Sequence, residues 1–191
     1  MSYFRNRAHT IEKENSGSHV IDQKENKEST VSELSEMLKG TDIQGPIFMT
    51  VTRIAIEIAR EGREGHTIGT AFVIGDSEKV LARSRQLVLN PFEGHKRERR
   101  MVTDTETQDN IKEFAQLDGV FIIKGDGEVE AAGRYITIDT GNVKFLRGLG
   151  TRHSSVAAIT QVTNAVGIVV SQSGGVIRII KDGKIVATIK P

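Results

Sequence analysis

The sequence predicts an α/β domain on a mixed β-sheet, and three observations carry that prediction. Apolar residues recur at helical spacing in some stretches and as compact β-branched runs in others, in the order helix, strand, helix, helix, hairpin, helix, three strands. Tight glycine turns, Gly125–Gly127 and "KDG" at 181–183, join neighbouring strands and call for antiparallel pairs. Elsewhere whole helices separate the strands, as crossover connections require. A purely parallel sheet is therefore excluded.

The elements follow in chain order. Residues 1–40 are polar, rich in Glu, Lys, Ser and Asn, and cannot bury enough apolar surface to offset ordering. This segment reads as flexible, with a short helix at 31–38, and the domain boundary falls at Gly40–Gly45; the division is thus 1–44 and 45–191. Pro46 opens the first long helix, whose Ile47, Phe48, Val51, Ile54, Ala55, Ile58 and Ala59 share a face. "EGREGH" (61–66) ends it, and "TIGTAFVIGD" (67–76) is a strand. "SEKVLARSRQL" (77–87) reads as helix and "NPFEGHKRERR" (90–100) as a charged loop. Thr105 and Gln108 have the spacing of a capping box for a helix reaching Gln116. From Gly119 a hairpin follows, then a small-residue helix at 151–163 able to lie close on a sheet, then three strands to the end.

Composition narrows the function classes. The 191 residues are 37% hydrophobic and 27% charged, as in a soluble globular protein, with no cysteine and so no disulfide or thiolate chemistry. The longest apolar runs, "VFII" and "AVGIVV", fall far short of the roughly 20 residues a bilayer crossing needs. The N-terminus lacks the apolar core of a signal peptide, so a cytoplasmic protein is expected. Net charge is +1, which gives no general pull on nucleic acid or membrane; any anion site must be local.

Three short stretches can hold chemistry. "GLGTRHSS" (148–155) sits where a helix begins, and a helix N-terminus offers unpaired N–H groups and partial positive charge. Gly150 lets a phosphate approach the backbone; Thr151, Ser154 and Ser155 add hydroxyls; Arg152 adds a planar fork. The plainer reading is a capped helix start with Arg152 and His153 facing solvent. In "LDGV" (117–120), Asp118 is either a turn aspartate or a carboxylate at a strand edge, able to hold a metal or orient a hydroxyl. "SQSGG" (171–175) is either a turn or a source of Ser171 and backbone amides for a nucleotide. "HKRERR" (95–100) reads as a solvated loop rather than a nucleic-acid contact, and the five histidines lack the paired spacing of a zinc site.

Taken together, "LDGV", "AAGRYI" (131–136), "GLGTRHSS" and "AVGIVVSQSGG" in this order and spacing resemble the diadenylate cyclase family, the catalytic domain also found at the N-terminus of the DNA-integrity scanning protein. The likeness runs from about residue 45 to the C-terminus, and "SRQLVLNPFEGH" and "IKEFAQLDG" resemble its free-standing archaeal type, a single soluble domain with neither a membrane anchor nor a DNA-binding extension. The resemblance implies a twisted central sheet with helices on both sides. It also implies condensation of two ATP into cyclic di-AMP with release of two pyrophosphates, in a face-to-face homodimer, possibly within a higher oligomer, with Mg²⁺ or Mn²⁺. Asp118 would bind the metal and orient, or help deprotonate, the attacking hydroxyl of the opposing nucleotide, its carboxylate meeting the triphosphate held by the Thr-Arg-His turn of the twin subunit, and Gly119 would give room. Gly150, Thr151, Arg152, His153, Ser154 and Ser155 would hold the triphosphate, with Arg152 and His153 catalytic beside Asp118 and Gly119. Val120, Ser171, Gly174 and Gly175 would line the nucleotide pocket. Two family signatures are altered: Asp-Gly-Ala is Asp-Gly-Val, with the bulkier Val120, and Arg-His-Arg is Arg-His-Ser, with one charge fewer at Ser154. These changes motivate a second reading, an ATP- or cyclic di-AMP-binding sensor without turnover.

Overall fold

The computed structural model describes residues 34–63, 65–138 and 149–190. The expected flexible segment therefore lies outside the described residues up to position 33, and residues 34–38 are helical. Met37–Pro191 form one compact unit, which starts ahead of the expected boundary because Leu38 and Ile43 are buried.

Helix α1 (Gly45–Glu61) starts with proline in its first turn and buries Ile47, Phe48, Val51, Ile54, Ala55 and Ile58, the expected apolar face. Strand β1 (Thr70–Ile74) is buried throughout. Helix α2 (Ser77–Leu81) is much shorter than the expected 77–87 element, because Ser84–Gln86 forms strand β2. A short 3₁₀ turn covers Arg97–Arg100, ahead of helix α3 (Thr105–Phe114). The hairpin is β3 (Val120–Ile123) and β4 (Val129–Ile136), followed by helix α4 (Thr151–Val162). Strands β5 (Val166–Val170), β6 (Ile177–Lys181) and β7 (Lys184–Ile189) complete the chain.

All seven strands form one sheet in the order β2-β4-β3-β1-β5-β6-β7. Only β1 and β3 run parallel; every other neighbour pair is antiparallel, so the sheet is mixed. Alternation along the central strands divides the core. Ala71, Val73, Val120, Ile122 and Val169 pack with Val156, Ala157 and Ile159 of α4 on one face. On the other, Phe72 stacks on Phe121, which meets Phe92 and through it Phe114 of α3. Helices α1 and α3 are tied to each other there by Lys112–Glu57 at 3.2 Å. Helices thus cover both faces.

One local expectation needs correction. Asp104, not Thr105, caps α3: its carboxylate accepts the Thr107 amide at 2.9 Å, and Gln108 donates to the Val102 carbonyl instead of closing a capping box. The "HKRERR" stretch is exposed over 95–99, as expected of a solvated loop, and three of its cations are paired. Arg97 pairs with Asp126 at 2.6 Å, Arg100 with Glu128 at 2.5 Å, and Arg99 with Glu106, so these cations hold the loop on the β3–β4 turn and on α3. Among the described residues no helix is long and apolar enough to cross a membrane.

Candidate nucleotide site

The N-terminus of α4 is open. Gly150 is its N-cap and has no side chain with which to cap it, while the first turn holds no acidic residue. The His153 and Ser154 amides turn back onto the Gly150 carbonyl at 3.1 and 3.3 Å, which leaves Thr151 and Arg152 amides outside the helix's own ladder. A Cβ built on Gly150 meets nothing within 4 Å, so approach to the backbone is unobstructed. These groups face a cavity of about 420 Å³ whose wall includes Thr151, Arg152, His153, Val169, Ser171 and Ser173. The fold therefore brings together "GTRH" and "SQS", two stretches that the sequence separates by a whole helix and strand.

Asp118 is not among the residues that line this cavity, but it reaches one of them, Arg152. It precedes β3, and its carboxylate accepts a hydrogen bond from Arg152 Nη2 at 3.1 Å within one chain. Its side chain is 92% exposed, against 26% for Arg152. Arg152 Nε is buried and has no partner among the described residues. No group of three or more acidic or histidine side chains assembles among the described residues. A divalent ion held by Asp118 would take its other ligands from phosphate oxygens or water, oxygen donors that suit Mg²⁺ or Mn²⁺.

Gly119 gives room, but to the protein itself. Its φ is 101°, and a Cβ there would lie 2.5 Å from the Arg134 carbonyl oxygen, so the glycine lets the chain turn into β3 against β4. Val120 points into the core beneath α4 and is 2% exposed, out of the cavity. Ser154 and Ser155 are half-buried on α4 and do not line the cavity; Gly174 and Gly175 form the turn between β5 and β6, outside its wall.

His153 does not face solvent. It is 5% exposed, and burial with the neighbouring positive charge of Arg178 pushes its pKa down to about 4. The ring is neutral at pH 7 and cannot serve there as a cation for phosphate. Arg178 of β6, 3.3 Å from His153 Nε2, is not among the site residues expected from the sequence, nor are Gly69 and Gln172 of the cavity wall. An arginine interrupting "VIRII" was the available signal, but its strand partner and helix neighbour are fixed only by folding.

Comparison with known proteins places the same residues in one family. The family model described as DisA bacterial checkpoint controller nucleotide-binding matches residues 57–185. A diadenylate cyclase of Methanocaldococcus jannaschii is 43% identical over 173 residues, covering 90% of this chain and 54% of that protein. One of Haloferax volcanii is 39% identical over 145 residues, covering 76% of this chain and 53% of that protein. The chain spans about half the length of these curated relatives. A solved structure titled as a hypothetical membrane spanning protein from Bacillus cereus shares the fold, with TM-score 0.58 and 19% identity over 91% of this chain and 76% of its own.

Proposed function

We infer the function from two premises: the chain belongs to the DisA bacterial checkpoint controller nucleotide-binding family, and its site pairs an open helix N-terminus with an exposed carboxylate. The activity we propose is diadenylate cyclisation, in residues 45–191, of two ATP into cyclic di-3′,5′-AMP and two pyrophosphates. Each 3′-oxygen forms a bond to the α-phosphorus of the other nucleotide, the α–β phosphoanhydride bond breaks, and the hydroxyl proton is lost. The observation that carries this reading is the 3.1 Å contact between Asp118 and Arg152, a proton-accepting group beside a phosphate-binding one at the cavity wall.

The roles follow from that geometry. Thr151, Arg152 and the amides of the first turn of α4 hold the triphosphate and offset charge as pyrophosphate leaves. Ser171 borders the cavity and is placed for phosphate or ribose. Asp118 orients the attacking hydroxyl and takes up its proton. Mg²⁺ or Mn²⁺, held by Asp118 and phosphate oxygens, would supply charge neutralisation and a more acidic hydroxyl. The sequence expectation pairs the carboxylate of one subunit with the turn of its twin; because Asp118 meets Arg152 within one chain, we propose instead that both belong to one half-site and that the 3′-hydroxyl of the opposing ATP crosses between subunits. One chain has one such half-site, and two face each other about a two-fold axis. The sensor reading loses one of its motives, since Val120 is a core residue that does not reach the cavity. The test is incubation with ATP and either metal, followed by mass spectrometry for cyclic di-AMP; absence of product with both would leave only the sensor.

A further inference from the structure

We propose that Arg178 is a positioning residue that locks the tautomer of His153, so that the histidine offers a fixed N–H to the phosphates in the cavity. The inference rests on the nucleotide reading above for what occupies the cavity, and on geometry alone for the tautomer. Arg178 stands on β6 directly opposite Val169 of β5, and Val169 is itself part of the cavity wall. Its Nη1 lies 3.3 Å from His153 Nε2. A guanidinium has donors and no acceptor, so Nε2 must accept and the imidazole proton must sit on Nδ1. His153 is buried, has one ring nitrogen engaged, and is among the residues of the cavity wall.

Arg178 forms no ion pair with a carboxylate among the described residues, in contrast to Arg97, Arg99, Arg100 and Arg152, each of which has one. Arg178 is itself half-buried, and the field of its charge reaches the adjacent histidine. That field disfavours an imidazolium, so the ring stays a neutral donor whose direction is set before the nucleotide arrives. Donors fixed in advance need no reorganisation when charge develops on phosphate oxygens.

The test is ¹⁵N NMR of histidine-labelled full-length protein, with His153 identified among the five histidines by its loss in His153→Gln. Native protein without nucleotide is expected to show the Nδ1–H form. Arg178→Lys, which keeps a charged donor, should retain that form, and Arg178→Met should move the ring toward Nε2–H. For ATP binding, Arg178→Met is expected to raise Kd roughly tenfold in the native background, yet by less than about twofold when His153 is already Gln, as coupling through the histidine requires. An Nε2–H or doubly protonated ring in the native protein would overturn the proposal even if no variant folds, and so would equal losses in both backgrounds. Failure of native protein to bind ATP would instead overturn the proposed function, leaving the tautomer to decide whether Arg178 sets the ring.

Discussion

A carboxylate as exposed as that of Asp118 gains little from its arginine: such pairs contribute up to about 1 kcal/mol to stability. Asp118→Asn and Arg152→Ala should therefore melt within a few degrees of the native protein, and a collapse of the fold would assign them a structural duty instead. His153 behaves differently. Its pKa falls from 6.5 to about 4 on folding, so below pH 6.5 the unfolded chain binds a proton that the native chain refuses. Stability should hold above that pH and decline as pH drops from 6.5 toward 4. His153→Gln should flatten this part of a melting-temperature profile; an unchanged slope would mean the ring is not buried neutral. Asp76, Asp104 and Asp126, whose carboxyls are held below the ordinary value of 3.8 by hydrogen bonds and nearby cations, act only at still lower pH. Asp118 and the Thr-Arg-His turn were legible because their residue types and flanking glycines state their chemistry locally. Arg178 was not, since its meaning depends on a contact spanning 25 positions.

At the scale of elements, α4 lies against the sheet because its inner face is small and because Gly167 of β5 lacks a side chain. A Cβ at Gly167 would lie 2.0 Å from Val156 Cγ1. Gly167→Ala is expected to lower stability by about 1–3 kcal/mol through overpacking. Val156→Ala in the same chain should recover part of that loss, which denaturant unfolding can measure; strict additivity would mean that close approach is not why glycine stands there. The small-residue composition of this helix was readable in advance, as were the hairpin and the last three strands, because their periodicity is strong. The end of α2 was not. "SRQ" is too short to show alternation, and it becomes a strand only through pairing with Arg134–Ile136, where the Arg134 guanidinium donates to the Leu81 and Ser84 carbonyls at 3.0 and 2.8 Å. The cap of α3 was misplaced by one residue because Asp104 and Thr105 are both good caps, and only the fold selects between them.

For the whole molecule, the proposed function has one chain supply one half-site, and closing a ring then takes two. If Asp118 and Arg152 act together in one half-site, mixing Asp118→Asn with Arg152→Ala repairs nothing, because each mixed dimer has two damaged halves. Native protein mixed with excess Asp118→Asn should instead form one phosphodiester bond and accumulate linear pppApA, visible by chromatography. Recovery of bond formation from the two damaged variants would show that the carboxylate reaches across the dimer. The claim beneath all of this is that Asp118 performs chemistry on a triphosphate seated at the open end of α4. It is tested most directly by mass spectrometry of cyclic di-AMP made from ATP with Mg²⁺ or Mn²⁺, comparing native protein and Asp118→Asn alongside their ATP affinities. The expected result is product from the native chain, a loss of about 10³ in rate in the variant (about 4 kcal/mol of barrier), and ATP binding largely kept. Equal product from both chains, or none from the native chain with either metal, would contradict it.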